Sequence, residues 1–138
     1  MIEIKNITRH LIAQAKHDAV ASIAIAHLLD DDHFSFFVTE IAVGKSVSPH
    51  YHQRGSEIYF IVSGSGVIYT AKADGTAPHA QKVQSGDIFN IQANTTHQLK
   101  NTGDTPLVLL FAGHPDHLDT DRYIQEIHTS PLNIAAQS

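Results

Sequence analysis

Short runs of β-branched and aromatic residues follow one another from about residue 20 to residue 112, and they constrain the fold more than any other feature of this sequence. Clusters of Asp, Asn, Ser, Gly and Pro, which favour turns, separate the runs. Many short strands with regular turns are typical of an antiparallel sandwich or barrel, and no long helical period supplies the crossovers of a parallel sheet. The sequence therefore predicts an all-β, antiparallel fold. The runs are AVASIAIAHLL, HFSFFVTEIAVG, EIYFIVSG, GVIYTAK, AQKV, DIFNIQA, HQLKN and PLVLLFAG.

The two ends of the chain have a different pattern. Apolar residues recur at helical spacing within residues 7–17 and again within residues 119–128. Such spacing gives a short helix one apolar face that can pack on a sheet. We expect a short peripheral helix in each segment.

Length and charge limit the kinds of protein that this chain can be. A chain of 138 residues has the size of one ordinary domain, and no linker or internal repeat divides it, so we expect a single domain over residues 1–138. The formal net charge is −5 and there are only three arginines, so the basic surface that a phosphate backbone requires is lacking. Nucleic acid is not an expected partner.

Targeting and membrane segments are not evident in the sequence. The first 18 residues contain an acidic residue and no apolar run of the length typical of a secretory signal. Nowhere do about 18 apolar residues stand together, as a transmembrane helix requires. We therefore expect a cytoplasmic protein without a membrane partner.

Two histidines one residue apart and a glutamate five residues later form the most specific pattern in the chain. Side chains two apart on a strand leave the same face roughly 6 to 7 Å apart, so His50 and His52 can reach one ion. Turn residues follow, and Glu57 is then expected to enter a neighbouring antiparallel strand. With 11 histidines in the chain, about one His-x-His pair arises by chance, but the pair with Glu57 and a glycine at each end, Gly44 and Gly64, does not. Since cysteine is absent, any metal ion must be held by imidazole and carboxylate groups.

The segments 44–64 and 86–101 together resemble the two signature motifs of the cupin superfamily. The first motif matches at all of its positions, and the second matches at Gly86, His97 and Asn101. Gln92 and Asn94 stand where the family usually has proline and glycine; asparagine tolerates the left-handed backbone of such a turn. The resemblance covers residues from about 33 to 112. It implies a small antiparallel jelly-roll barrel, one bound divalent metal ion and a homodimer in which N-terminal or edge strands pair. The ligands that it implies are His50, His52, Glu57 and His97.

The implied ligand types limit the metal and the residues around it. Three imidazoles and one carboxylate suit iron, manganese, nickel, copper, cobalt or zinc rather than calcium or magnesium. Tyr59 and Ile61 share a strand face with Glu57 if alternation holds, so they either line the pocket or simply pack in the core. His114 and His117 follow the last apolar run, in a post-strand loop, and are expected to be exposed without binding a metal.

Three functions remain open at this point, and no general base is identified. The first is a metal-dependent enzyme acting on a small oxygenated substrate, either a dioxygenase or an isomerase or lyase. The second is a non-catalytic module that binds a small ligand, and the third is a protein whose metal is structural. A set of four ligands that leaves coordination positions free favours the enzyme.

Overall fold

The computed structural model describes residues 1–128, and within them the chain forms two antiparallel sheets and one short helix. The prediction of an antiparallel, mainly β fold is confirmed. The elements are α1 (Ile7–Gln14), β1 (Lys16–Asp18), β2 (Ile23–Asp30), β3 (Ser35–Ile41), β4 (His50–Tyr51), β5 (Glu57–Ser63), β6 (Ser65–Lys72), β7 (His79–Gln84), β8 (Ile88–Ile91), β9 (Thr95–Asn101), β10 (Leu107–Gly113) and β11 (Tyr123–Ile124).

The two sheets face each other across a common core. The six-stranded sheet has the order β1-β2-β3-β10-β5-β8, and the five-stranded sheet has the order β11-β4-β9-β6-β7. Inward-facing aliphatic side chains from both sheets fill the space between them, and five of these are almost completely buried: Ile41, Ile61, Leu99, Leu107 and Leu109. Within residues 1–128 no strand of one sheet pairs with a strand of the other. The structure is therefore a sandwich of two sheets, and the jelly-roll barrel that the resemblance implies is not closed in the described residues.

The N-terminal helix is confirmed, although it is shorter than residues 7–17. The side chain of Asn6 accepts a hydrogen bond from the backbone N–H of Arg9, 3.0 Å away, and so caps the first turn. Leu11 packs against Ala26, Leu28 and Val38 on the outer face of the six-stranded sheet. The helix ends at Gln14 because the next residues form β1 and pair with β2.

The helix expected within residues 119–128 does not form. Tyr123 and Ile124 instead pair with Tyr51 and His50 as the edge strand β11, and the rings of Tyr51 and Tyr123 stack 5.2 Å apart. Backbone pairing with β4 has overridden the helical spacing of the apolar side chains. This short strand brings the C-terminal part of the described chain beside the first histidine.

Candidate metal centre

The four implied ligands meet inside the sandwich. His50, His52, Glu57 and His97 are all buried, and one ligand atom of each lies within 4.8 Å of those of the others. His50 lies on β4 and His97 on β9, and the two are direct partners in the register of the five-stranded sheet. The strands thus place the imidazoles of two distant segments side by side on the inner face.

Glu57 reaches this cluster from the opposite sheet. It is the first residue of β5, in the six-stranded sheet, so the expectation that its strand neighbours that of the histidines is wrong. The segment after His52 crosses from one sheet to the other instead of folding back as a hairpin. The site is consequently assembled across the gap between the sheets, with histidines on one side and the carboxylate on the other.

The carboxylate oxygen Oε1 of Glu57 lies at the centre of the cluster. It is 2.9 Å from Nε2 of His97 and 3.5 Å from Nε2 of His52. The ring centroids of His50 and His97 are 4.4 Å apart. These separations leave the nitrogen and oxygen atoms close enough to bind a single ion.

The other ring nitrogen of each histidine is held by a backbone carbonyl. Nδ1 of His50 lies 2.7 Å from the carbonyl oxygen of Ser48, Nδ1 of His52 lies 2.7 Å from that of Asp121, and Nδ1 of His97 lies 2.9 Å from that of Thr95. A carbonyl only accepts, so each Nδ1 carries the proton, and in the neutral ring Nε2 presents a lone pair. This arrangement is typical of metal-ligating histidines.

With each Nδ1 protonated, the Nε2 atoms and the carboxylate are acceptors that face one another, and Nε2 of His97 and Oε1 of Glu57 lie within hydrogen-bonding distance, at 2.9 Å. Lone pairs of neutral imidazoles and of a carboxylate, buried together, repel unless a cation or protons lie between them. Nε2 of His52 is completely buried and has no hydrogen-bond partner. The donor set thus fits a divalent transition-metal ion, and no hard cation with all-oxygen ligands is expected here.

The pKa values of the site follow from burial and from these neighbours. Burial, together with the nearby His97, lowers the pKa of His50 to about 3. Burial alone raises the pKa of Glu57, but its contacts with His117, His52 and His97 outweigh that effect and hold the pKa well below its usual value. Burial and the charge of Glu57 raise the pKa of Tyr59 well above its usual value, so its phenol stays protonated. At neutral pH the carboxylate is charged and His50 is neutral, as metal binding requires.

The structure contradicts the expectation of an exposed His117. The side chain is buried, and its Nε2 lies 3.1 Å from Oε2 of Glu57, on the side of the carboxylate away from His97. His114 is half-exposed and contacts Asp116 instead. The spacing of the two histidines in the loop gave no indication of this difference, since the position of His117 depends on how the loop after β10 folds back over the site.

Asp121 is a second residue that the sequence did not identify. Its buried carboxylate accepts hydrogen bonds from the backbone N–H groups of Gln53 and Arg54, both at 2.8 Å, and its carbonyl holds Nδ1 of His52. One residue of the C-terminal segment therefore fixes both the ring of His52 and the turn that follows it.

Tyr59 and Ile61 occupy different surroundings. Tyr59 lines a small cavity of about 20 Å³ beside His50 and Glu57, whereas Ile61 packs in the core and does not line it. A cavity needs roughly 10–15 Å³ to hold one water molecule, so this space accommodates little more than a water. The chamber beside the candidate ligands is thus nearly filled by protein.

Besides His97, the second motif contributes a turn and an asparagine. Asn94 has a φ of +60°, the left-handed conformation expected for it, and its backbone N–H donates to the carbonyl of His52 at 2.7 Å. Asn101 is buried and points away from the cluster, donating to the carbonyls of Ile41 and Thr105. Its role in the described structure is to hold the turn between β9 and β10.

Within residues 1–128 no helix is long and apolar enough to cross a membrane.

Comparison with known families gives a match over more than half of the chain. A family model described as a cupin domain matches residues 37–113, a range that includes all four implied ligands and ends just before the segment with His117 and Asp121.

Two curated proteins and one solved structure illustrate the similarity. An uncharacterized protein from Methanocaldococcus jannaschii is 30% identical over 87 residues, 62% of this chain, and the chain spans 64% of its length. An oxalate-binding protein from Thermotoga maritima is 29% identical over 93 residues, covering 64% of this chain and 72% of that protein. The capsular polysaccharide assembling protein CapF from Staphylococcus aureus superposes with a TM-score of 0.70 at 22% identity, over 82% of this chain and 34% of the other. The last likeness is one of fold.

Proposed function

Since the chain belongs to the cupin family, we propose that it is a metal-dependent enzyme that binds one divalent transition-metal ion through His50, His52, Glu57 and His97 and acts on a small oxygenated organic molecule. The observation that carries the proposal is the convergence of lone pairs. Three imidazoles with Nδ1 committed to backbone carbonyls face a buried carboxylate, and a cation is the simplest way to satisfy all of them.

The arrangement favours catalysis over a purely structural metal. Structural sites are usually closed, four-coordinate and rich in thiolates, and this chain has no cysteine. An ion that accepts six ligands keeps positions free beside four protein donors. When bound, such an ion polarises a substrate oxygen as a Lewis acid or supports chemistry with O₂.

The chain's own residues would bind and orient the substrate rather than supply a base. Glu57 is committed to the cluster, and the raised pKa of Tyr59 leaves its phenol as a hydrogen-bond donor at neutral pH. Apolar side chains such as Leu109, Phe111 and Leu118 line the cavity and limit its free space to about one water molecule. A substrate larger than water must therefore enter by displacing part of this enclosure.

A groove at the open edge of the sandwich is the entrance that we infer. It has a volume of about 490 Å³ and lies between the unpaired edge strands β7 and β8. Its lining includes Thr70, the register partner of His97, and Phe89, whose ring packs on Tyr59. A small molecule bound in this groove would contact Thr70 and Phe89, which are the direct neighbours of His97 and Tyr59.

A non-catalytic binding module is the second candidate. It is favoured by the similarity to a protein from T. maritima that is named for binding oxalate. Oxalate is a small dianion with oxygens that chelate a metal, so it is the first compound to test in both candidates.

The test begins with the metal. Protein purified without a histidine tag is expected to carry close to one transition-metal equivalent per chain, and Glu57→Ala or His52→Ala is expected to lower that content sharply because each removes a ligand. His33→Ala, at an exposed histidine outside the cluster, is the matched control. A metal-free wild type that takes up no iron, manganese, nickel, copper, cobalt or zinc would contradict the proposal.

The same preparations distinguish the candidates. Loaded protein is assayed with oxalate and with a panel of small enols, diols, hydroxy acids and keto acids, following O₂ consumption and product formation by NMR. Oxygen uptake that is lost in His50→Ala indicates a dioxygenase, and turnover without O₂ indicates an isomerase or lyase. Tight binding of one compound without turnover supports the binding module.

A further inference from the structure

We propose that His117 is a fifth protein donor to the metal ion held by His50, His52, Glu57 and His97. This inference rests on the proposed function, because it concerns the same ion. His117 lies outside residues 37–113, which the family model matches.

The ring of His117 is prepared for metal binding in the same way as the other three. Its Nδ1 lies 2.8 Å from the backbone carbonyl of His114, so Nδ1 carries the proton. The neutral ring then presents a lone pair at Nε2, and the side chain is only 2% exposed. A histidine whose Nδ1 is held by a carbonyl and whose Nε2 is buried is typical of a metal ligand.

The environment of Nε2 of His117 resembles that of Nε2 of His52, one of the four candidate ligands. Among the side-chain nitrogen and oxygen atoms of residues 1–128, Nε2 of His52 and Nε2 of His117 are buried without a hydrogen-bond partner. Each lies near one oxygen of the same carboxylate, at 3.5 Å from Oε1 and 3.1 Å from Oε2 of Glu57 respectively. No hydrogen bond is assigned to the contact of His117 with Glu57, and a cation shared between Nε2 and the carboxylate would account for this contact.

The packing around His117 holds the ring in this orientation. Its ring contacts Phe37 and Phe111 edge-on, with centroids 5.3 and 5.8 Å apart, and lies 5.3 Å from the ring of His52. Gly113 leaves room for it, since a Cβ at that position would meet the ring atoms at 3.0–3.2 Å. An imidazole fixed by aromatic rings loses little conformational entropy when it binds an ion.

A fifth donor changes what the site can bind. In the group of His50, His52, Glu57 and His97, one ligand atom of each residue lies within 4.8 Å of those of the others. His117 is not part of this group and approaches Glu57 from the side of Oε2. Five protein donors leave one position of a six-coordinate ion, in place of two. A substrate then binds through a single atom, or it chelates by displacing His117 from the ion.

The test uses cobalt(II), whose visible absorption depends on the number and kind of its ligands. Chelator-treated wild type, His117→Ala, His117→Gln and the control His114→Ala are titrated with Co²⁺, and both the dissociation constant and the spectrum are recorded. His114 lies in the same loop and does not reach the cluster, so its variant tests the loop without the donor. We expect His117→Ala and His117→Gln to bind Co²⁺ at least about tenfold more weakly, with an altered spectrum and one fewer imidazole by X-ray absorption.

Each other outcome overturns the proposal in a recognisable way. An unchanged spectrum and affinity in both His117 variants would show that His117 is not a ligand. Weaker binding with an unchanged spectrum, restored by His117→Gln, would mean that His117 acts only through its contact with Glu57. Absence of Co²⁺ binding by the wild type would reject the proposed function as well. Far-UV circular dichroism of the metal-free variants identifies a folding defect in His117→Ala, and His117→Gln then decides the question.

Discussion

Each imidazole around Glu57 has one nitrogen committed to a backbone carbonyl, so the chain sets the direction of the other nitrogen before any ion binds. This arrangement destabilises the metal-free folded protein, because buried hydrogen-bond acceptors face one another. A bound ion would remove this repulsion between the acceptors and should therefore stabilise the protein.

The metal-free protein is expected to lose stability as the pH falls from 6.5 to 4.5. His50 has a pKa of about 3 in the fold and of 6.5 when unfolded, so the unfolded chain binds one more proton in this range. The raised pKa of His52 acts only above pH 6.5, and the lowered pKa of Glu57 acts only below pH 4.5. The slope is then at most about 1.4 kcal/mol per pH unit.

Urea denaturation of chelator-treated protein at several pH values measures this slope. His50→Gln removes the titrating group and should flatten the dependence between pH 6.5 and 4.5. An equal slope in the wild type and in the variant would show that His50 is not its source.

The sequence identified those residues of the site that stand at fixed offsets in a motif. His50, His52, Glu57 and His97 all reach one cluster, as the spacing and the resemblance predicted. His117 and Asp121 have no fixed spacing from a motif, because a loop whose path depends on tertiary contacts brings them to the site. Local patterns contain no information on that path.

At the scale of elements, the segment from residue 114 to β11 completes the site from outside the matched family region. It supplies the ring of His117, the carbonyl that holds His52 and the edge strand beside β4. Its apolar spacing predicted a helix, and pairing with β4 gives a strand. Likewise, the turn residues after His52 predicted a hairpin, whereas the segment crosses to the other sheet.

Asp121→Ala is expected to loosen the turn after His52. It removes the acceptor for two backbone N–H groups, which costs about 1–3 kcal/mol of unfolding free energy. Metal affinity should fall about ten- to a hundredfold, as it does when other residues that orient a metal ligand through a hydrogen bond are replaced.

The control for this prediction is Asp116→Ala. Asp116 forms an exposed ion pair with Arg54, 2.7 Å apart, and its loss should change stability by about 1 kcal/mol or less. Thermal denaturation with and without metal compares the two variants. Unchanged metal affinity in Asp121→Ala would contradict the positioning role.

At the scale of the molecule, the run of short strands predicted the two antiparallel sheets well. Whether the sheets close depends on pairing between edge strands that are far apart in sequence, and the strand pattern does not determine it. Edge strands such as β1 and β8 leave backbone groups available for pairing.

The homodimer implied by the resemblance stays a prediction. We expect light scattering to give a mass of twice 15.1 kDa, since pairing of edge or N-terminal strands would cover these groups. A mass near 15.1 kDa across the micromolar range would contradict it and leave the metal site unaffected.

The hydrogen bond from His52 to Asp121 spans 69 residues, and this separation has a consequence for synthesis. A ribosome that has released residues 37–113 has produced the whole matched domain, but neither Asp121 nor His117 has yet emerged. The histidine turn therefore has no anchor until residue 121 has emerged. An ion held by the cluster would then be bound firmly only after residue 121 has emerged, and a product that ends before residue 117 is expected to bind metal more weakly even though both motifs are intact.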